Sequence, residues 1–156
     1  ALGEGSFNAA VCTMALMDMA VISTPIANLA KLLKPGGRAV FSVTHPAFNS
    51  SDFRIEGRAG DFDGRYTVDH RVSISKYAPL IAYRGEGIVG QPVAPWYFHR
   101  SMETLLSAWF EHGFVLDGIE EPTLSQSALE GSRPRVLSWA NLPEVPPILV
   151  ARMRLP

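Results

Sequence analysis

The chain has a single cysteine, Cys12, so no internal disulfide can form and a reducing compartment is the expected setting. It also has no excess of charge of one sign. Fourteen Lys and Arg stand against 15 Asp and Glu, a formal net charge of −1. That balance leaves no electrostatic footprint for nucleic acid or an anionic membrane surface, and neither is expected as a partner. No apolar stretch reaches the roughly 18 to 20 residues of a membrane helix. The opening residues, Ala1 to Ser6, lack a positive n-region and an initiator methionine. They read as a chain entered midway through a loop, with no signal peptide, and the expected location is cytoplasmic. Metal chemistry finds no basis: His45, His70, His99 and His112 lack ligand-like spacing, and Cys12 has no second cysteine to work with. No G-x-S-x-G elbow marks a serine hydrolase. A glycine-rich nucleotide turn is missing too. Gly3-Glu4-Gly5 and Gly85-Glu86-Gly87 have the spacing of two glycines, but neither lies between a strand and a helix.

What is there suits one globular domain. With 156 residues, 47% hydrophobic and 19% charged, the chain can bury a core and is not of disordered composition. Phe7–Thr13 (FNAAVCT) is a short apolar run that reads as a buried strand of a parallel sheet covered on both faces, with Cys12 as a small buried hydrophobe. Thr24-Pro25 reads as a helix start, with a hydroxyl N-cap and proline at the first position. Ile22, Ile26, Leu29, Ala30 and Leu33 give that helix one apolar face, Lys31 and Lys34 fall in its last turn, and Pro35-Gly36-Gly37 stops it. Arg38–Thr44 (RAVFSVT) reads as a second buried strand, making a right-handed βαβ unit.

The regular pattern breaks between His45 and Phe98. Weak alternation over Tyr66–Ile74 and Leu80–Val89 predicts short strands or a hairpin. Regularity returns with a helix capped by Ser101, striped by Met102, Leu105, Leu106, Trp109 and Phe110, and ended by Gly113. Phe114–Glu120 reads as a strand, Glu121–Pro147 as a long polar loop, and Ile148–Met153 as a final strand.

Taken in order, these pieces resemble class I S-adenosylmethionine-dependent methyltransferases. Leu32–Val43 is similar to that family's helix-to-fifth-strand junction, whose usual form is L-[KR]-P-G-G-x-[ALF] followed by an apolar strand. His99-Arg100-Ser101, Glu111–Phe114 (EHGF) and Glu120-Glu121-Pro122 resemble a small-molecule branch. The resemblance covers nearly all of the chain outside the middle stretch. It implies an α/β fold that is the carboxyl-terminal half of a Rossmann-like sheet, with strands in the order 4-5-7-6 and strand 7 antiparallel. Phe7–Thr13 would be strand 4, Arg38–Thr44 strand 5, Phe114–Glu120 strand 6 and Ile148–Met153 strand 7. Residues 1–156 would form a single partial domain, and residues 47–98 an insertion after strand 5 that covers the substrate.

The resemblance further implies S-adenosylmethionine as cofactor and a small molecule as methyl acceptor. Thr13, Met14, Ala15 and Met17 would line the cofactor, although Met14 and Met17 read equally well as core residues. Asp18 suits either a helix-proximal cap or a substrate carboxylate, the structural role being favoured. His45 and His99 are the candidate catalytic groups, each able to orient an acceptor or take a proton. Pro46, Trp96 and Arg100 are the candidate substrate-binding residues. Arg100 suits either a bidentate clamp on a carboxylate or phosphate, or a tie to backbone carbonyls. Trp96, Tyr97 and Phe98 suit either a substrate wall or the packing of the cover. Without strands 1 to 3 the chain alone should bind cofactor poorly, and strand 4 becomes an exposed edge through which copies should associate. The rival reading is a non-catalytic, self-associating fragment; a weaker one is part of a nicotinamide dehydrogenase.

Overall fold

The structure, a computed structural model, describes residues 2–85, 90–124, 137–142 and 144–156. Part of the expected 121–147 loop and the end of the expected 80–89 strand lie outside those residues. In chain order the elements are β1 (Phe7–Thr13), a 3-10 turn (Leu16–Asp18), α1 (Ser23–Leu32), β2 (Leu33–Thr44), β3 (Phe53–Phe62), β4 (Arg65–Ile74), β5 (Ile81–Arg84), β6 (Trp96–His99), α2 (Met102–Phe110), β7 (Val115–Glu120), a second 3-10 turn (Trp139–Asn141) and β8 (Ile148–Arg154).

Four strands form the main sheet, in the order β1-β2-β8-β7. β1 and β2 are parallel, and β8 is antiparallel to both β2 and β7. One face is buried, and the period-2 alternation shows how. Ala39, Phe41 and Val43 of β2 and Leu149, Ala151 and Met153 of β8 point inward together. Ile26 of α1 and Leu105 and Trp109 of α2 close over them. Trp109 is 0% exposed, stacked on Phe41 (centroids 5.1 Å apart) and met edge-on by Phe114 at 5.1 Å. The opposite face carries an ionic cluster, in which Asp117 receives Arg152 at 2.7 Å, Arg154 at 3.6 Å and Arg38 at 4.0 Å. The arginines hold the Asp117 carboxyl below the usual range, chiefly through the Arg152 hydrogen bond.

Three sequence expectations are corrected here. β1 is not covered on both faces: it lies at the sheet edge, and Val11 is 74% exposed. The helix does not start on a Thr24 cap. Its cap residue is Ile22, without a side-chain bond, and Ser23 and Thr24 lie inside the first turn. Nor does Lys34 belong to its last turn, because the helix ends at Leu32 and β2 begins at Leu33. Pro35 explains this, since the residue before a proline is pushed out of the helical region. Gly36 then takes φ +76, and a Cβ on Gly37 would sit 2.7 Å from the Lys34 carbonyl oxygen. The Lys-Pro-Gly-Gly sequence is therefore required by the backbone path between helix and strand. Ser101, by contrast, caps α2 as expected, its hydroxyl accepting from the Thr104 amide at 3.2 Å.

The stretch between β2 and α2 contains two hairpins. β3 and β4 pair over their whole ten-residue lengths around Asp63 (φ +52) and Gly64 (φ +74), a two-residue turn with both central residues left-handed. β5 pairs with β6, setting Tyr83 opposite Tyr97 with ring centroids 5.6 Å apart. β6 packs against the Leu16–Asp18 turn, which brings this hairpin to the end of β1.

Candidate functional site

β1 and β2 run parallel, and β7 shares their direction because both β2 and β7 are antiparallel to β8. The carboxyl ends of all three open on one edge of the sheet, where open α/β folds bind ligands. The chain leaves β1 sharply there. Met14 adopts φ +50, a left-handed conformation uncommon for a methionine, which costs about 1–3 kcal/mol. Its amide is held by the Ser42 carbonyl at 2.9 Å and the Ser42 hydroxyl at 3.2 Å. Thr13 is exposed, and Met14 and Ala15 are half-buried beside it. Met17 turns back toward the sheet, and its sulfur accepts from the Thr44 amide at 3.5 Å.

Arg100 holds this turn in place. It is buried, and its guanidinium meets four backbone carbonyls: Nη1 donates to Leu16 and Phe98, both at 3.2 Å, and Nη2 donates to Met19 at 2.5 Å and Ala20 at 2.9 Å. Of the two roles open to Arg100 from sequence, the geometry supplies partners for the tie to backbone carbonyls. Burial lowers its pKa from the usual value. Met17, Thr44, Pro46, Phe98, His99 and Arg100 border a cavity of about 20 Å³, room for about one water.

Both candidate catalytic histidines are buried. His45 is 3% exposed. Its Nδ1 accepts from the Ala47 amide at 3.1 Å and the Phe48 amide at 3.3 Å, and its Nε2 lies 2.7 Å from Glu121 Oε1. His99 Nε2 lies 2.7 Å from the Tyr77 carbonyl, so that nitrogen donates. Trp96 is half exposed, and the Arg84 guanidinium covers its ring at 4.9 Å. The structure thus brings Met17, Pro46, His99 and Arg100 together around one cavity, while Thr13, Met14 and Ala15 stand on the open edge and Trp96 lies under Arg84. Sequence reading met Glu121 only within the Glu120-Glu121-Pro122 motif and gave it no site role; its neighbour in space, His45, lies 76 residues away in the chain. The same reading weighed Asp18 as a helix-proximal cap or a substrate carboxylate and favoured the cap. Burial raises the Asp18 pKa, and Tyr83 is raised by burial first and then by the charges of Tyr97 and Asp18.

No protein-family model and no curated protein matches the chain. Solved structures do. An S-adenosylmethionine-dependent methyltransferase from Mesorhizobium loti aligns over 98% of this chain at 23% identity, with a TM-score of 0.67. A candidate S-adenosylmethionine-dependent methyltransferase from Listeria monocytogenes aligns over 100% at 18% identity and a TM-score of 0.69. The chain has the class I methyltransferase fold. It spans 64% of the length of each of those two proteins. A third methyltransferase, the Burkholderia thailandensis 1,6-didemethyltoxoflavin-N1-methyltransferase, was solved with 1,6-didemethyltoxoflavin and S-adenosylhomocysteine bound. It matches 98% of this chain and 45% of its own length, at 15% identity and a TM-score of 0.50. A helix long and apolar enough to cross a membrane is absent among the described residues.

Proposed function

We propose that the chain supplies the acceptor-side wall of an S-adenosylmethionine-dependent methyltransferase that acts on a small molecule. One observation carries the reading: a β1-β2-β8-β7 sheet whose parallel pair opens beside the Met14–Asp18 turn, in a chain whose structural neighbours are methyltransferases. Numbered as the resemblance implies, that order corresponds to strands 4-5-7-6, with residues 47–98 as the cover over the site. The small ligand bound to the Burkholderia enzyme supports a small-molecule acceptor.

A bound sulfonium cofactor supplies an electrophilic methyl group, and in-line placement and exclusion of water are the protein's part. Thr13, Met14 and Ala15 fit the border of such a ligand, since they stand open at the ligand-binding edge on a backbone pinned by Ser42. Arg100 positions the turn, and Met17, Pro46 and His99 back it from behind. The other side of a cofactor site needs a strand, a glycine-rich turn and a helix in succession, and the described residues contain no such unit. Calorimetric titration of the chain with S-adenosylmethionine is expected to give no micromolar binding. Micromolar affinity would mean that this one wall is a complete site.

A second reading, self-association, is favoured by the β1 edge. Val11 and Phe7 are exposed there, and an apolar groove of about 320 Å³ runs beside them, bordered by Ala10, Cys12, Leu29, Leu32 and Val40. A homodimer or larger oligomer is the expected state in light scattering, and Val11→Lys should shift it toward monomer. A wild-type monomer at high concentration counts against this reading.

A further inference from the structure

Sheets built on βαβ units are ordinarily covered by helices on both faces. Here α1 and α2 both close over the Phe41 side, and among the described residues no α-helix lies on the other. The strand register says what that other face presents. Ala39, Phe41 and Val43 of β2 point inward, so Arg38, Val40 and Ser42 point outward. Pairing then sets Val11 of β1 beside Val40, Val150 of β8 beside Ser42, and Arg154 beside Arg38. Val11 is 74% exposed, and Val40 and Val150 are half-buried. A depression of about 360 Å³ opens beside the two β-strand valines, bordered also by Gly118, Glu120 and Arg152. Gly118 helps to open it, because the nearest atoms a Cβ there would meet are those of the Arg152 side chain, at 3.4 Å.

The charge on this face is uneven. Three guanidiniums, Arg38, Arg152 and Arg154, surround the one Asp117 carboxylate, and their side chains are 55%, 48% and 40% exposed. Arg152 holds Asp117 closely, at 2.7 Å, whereas Arg154 and Arg38 stand off at 3.6 Å and 4.0 Å. Arg38 and Arg154 also face each other across the ladder. A like-charge pair directly opposite is destabilising, and one carboxylate among three arginines answers it only in part. At the other end of the face the sign reverses, since Glu120 is the cross-strand neighbour of Val150.

We propose that this face seats an amphipathic helix with an acidic flank, belonging to the part of the methyltransferase fold that these 156 residues do not hold. The chain spans 64% of each of two structural neighbours, so the fold has the length for such a helix. Its apolar stripe lies on Val11, Val40 and Val150. Its carboxylates meet Arg38 and Arg154, and its acidic residues stay clear of Glu120.

The test is an NMR titration of the full chain with two synthetic peptides of about 18 residues, about five helical turns. Both carry the same leucine-alanine stripe; one has glutamates along its flanks and the other lysines. At low salt the glutamate peptide should bind roughly tenfold or more tightly, as a few exposed charge pairs imply. The preference should fade near 1 M salt, where the screening length falls to about 3 Å. Amide shifts should centre on Val40, Val150 and Arg152. Arg38→Glu combined with Arg154→Glu should reverse the preference, and Gly118→Val, which fills the depression, should weaken both peptides. Equal binding, tighter binding of the lysine peptide, binding of neither, or shifts centred on the groove between β1 and α1 overturns the proposal. So does a dimer of the chain that buries Val40 and Val150, because the occupant is then a second copy. The charge and salt comparisons use the wild-type chain and stand even if a variant fails to fold. No methyl donor is present, so failure here is distinct from failure of the methyl-transfer reading, which the cofactor titration tests.

Discussion

Trp109→Ala should cost about 3–5 kcal/mol of folding stability, the usual range for truncating a buried aromatic. A domain of this kind holds about 5–15 kcal/mol in all, so a large part of the margin goes with one side chain. The reason is position. Trp109 is where α2 meets the sheet: fully buried, flat against Phe41 of β2 and edge-on to Phe114, just before β7. An alanine leaves a cavity walled by three elements that cannot all collapse into it. Trp109→Phe keeps a ring on Phe41 and gives up only part of the volume, so it should lose less. Urea denaturation followed by circular dichroism measures both. A loss below about 1 kcal/mol for the alanine variant, the level of an ordinary substitution, would mean that the core is not organised around this residue.

Arg100→Met should be nearly as damaging, for a different reason. Methionine replaces much of the volume but provides no donors, so the carbonyls of Leu16, Phe98, Met19 and Ala20 lose their shared partner at once. A buried acceptor left without its partner costs about 1–3 kcal/mol, and more than one carbonyl loses its partner here. The cost should also be local. Amide hydrogen exchange should rise in residues 14–20 and at the β6–α2 junction before it rises in β2 or β8. Arg100→Lys should rescue poorly, because a single ammonium cannot present donors to both pairs of carbonyls as the planar fork does. Uniform destabilisation without localised exchange would show that Arg100 does not hold the turn.

The sheet and its helices were legible because their signals are local and mutually consistent. The strand of alternating or continuous apolar residues, the Lys-Pro-Gly-Gly junction and the Ser101 cap each have a mechanism that operates within a few residues. The errors also have physical causes. The apolar run FNAAVCT reads as buried on both faces, but exposure of β1 depends on what pairs with it, which a strand's own composition does not encode. Thr24 was a plausible cap, yet the helix starts at Ser23, directly after Ile22, without any side-chain cap. β3 was missed because Glu56, Gly57, Arg58, Gly60 and Asp61 dilute its pattern. Its pairing with β4 supplies the order, and Asp63-Gly64 was the available turn signal.

For the site, residue types were found before roles. His45, His99 and Arg100 all lie at the carboxyl edge, but which nitrogen meets which partner is a long-range fact. Arg100 reaches residues some 80 positions away, and His45 reaches Glu121 across the sheet. The left-handed Met14 is invisible to any pattern of apolar residues, since a methionine gives no hint of positive φ.

The central claim is that the Thr13–Asp18 turn is one wall of a methyl-donor site and that this chain holds little else of it. The most direct measurement is the cofactor titration read residue by residue: amide chemical shifts of the whole chain against S-adenosylhomocysteine. The account predicts weak, millimolar-range binding whose shifts are confined to Thr13–Asp18 and the adjoining end of β2, with β3 and β4 unmoved. Micromolar affinity, or shifts centred away from that turn, would contradict it.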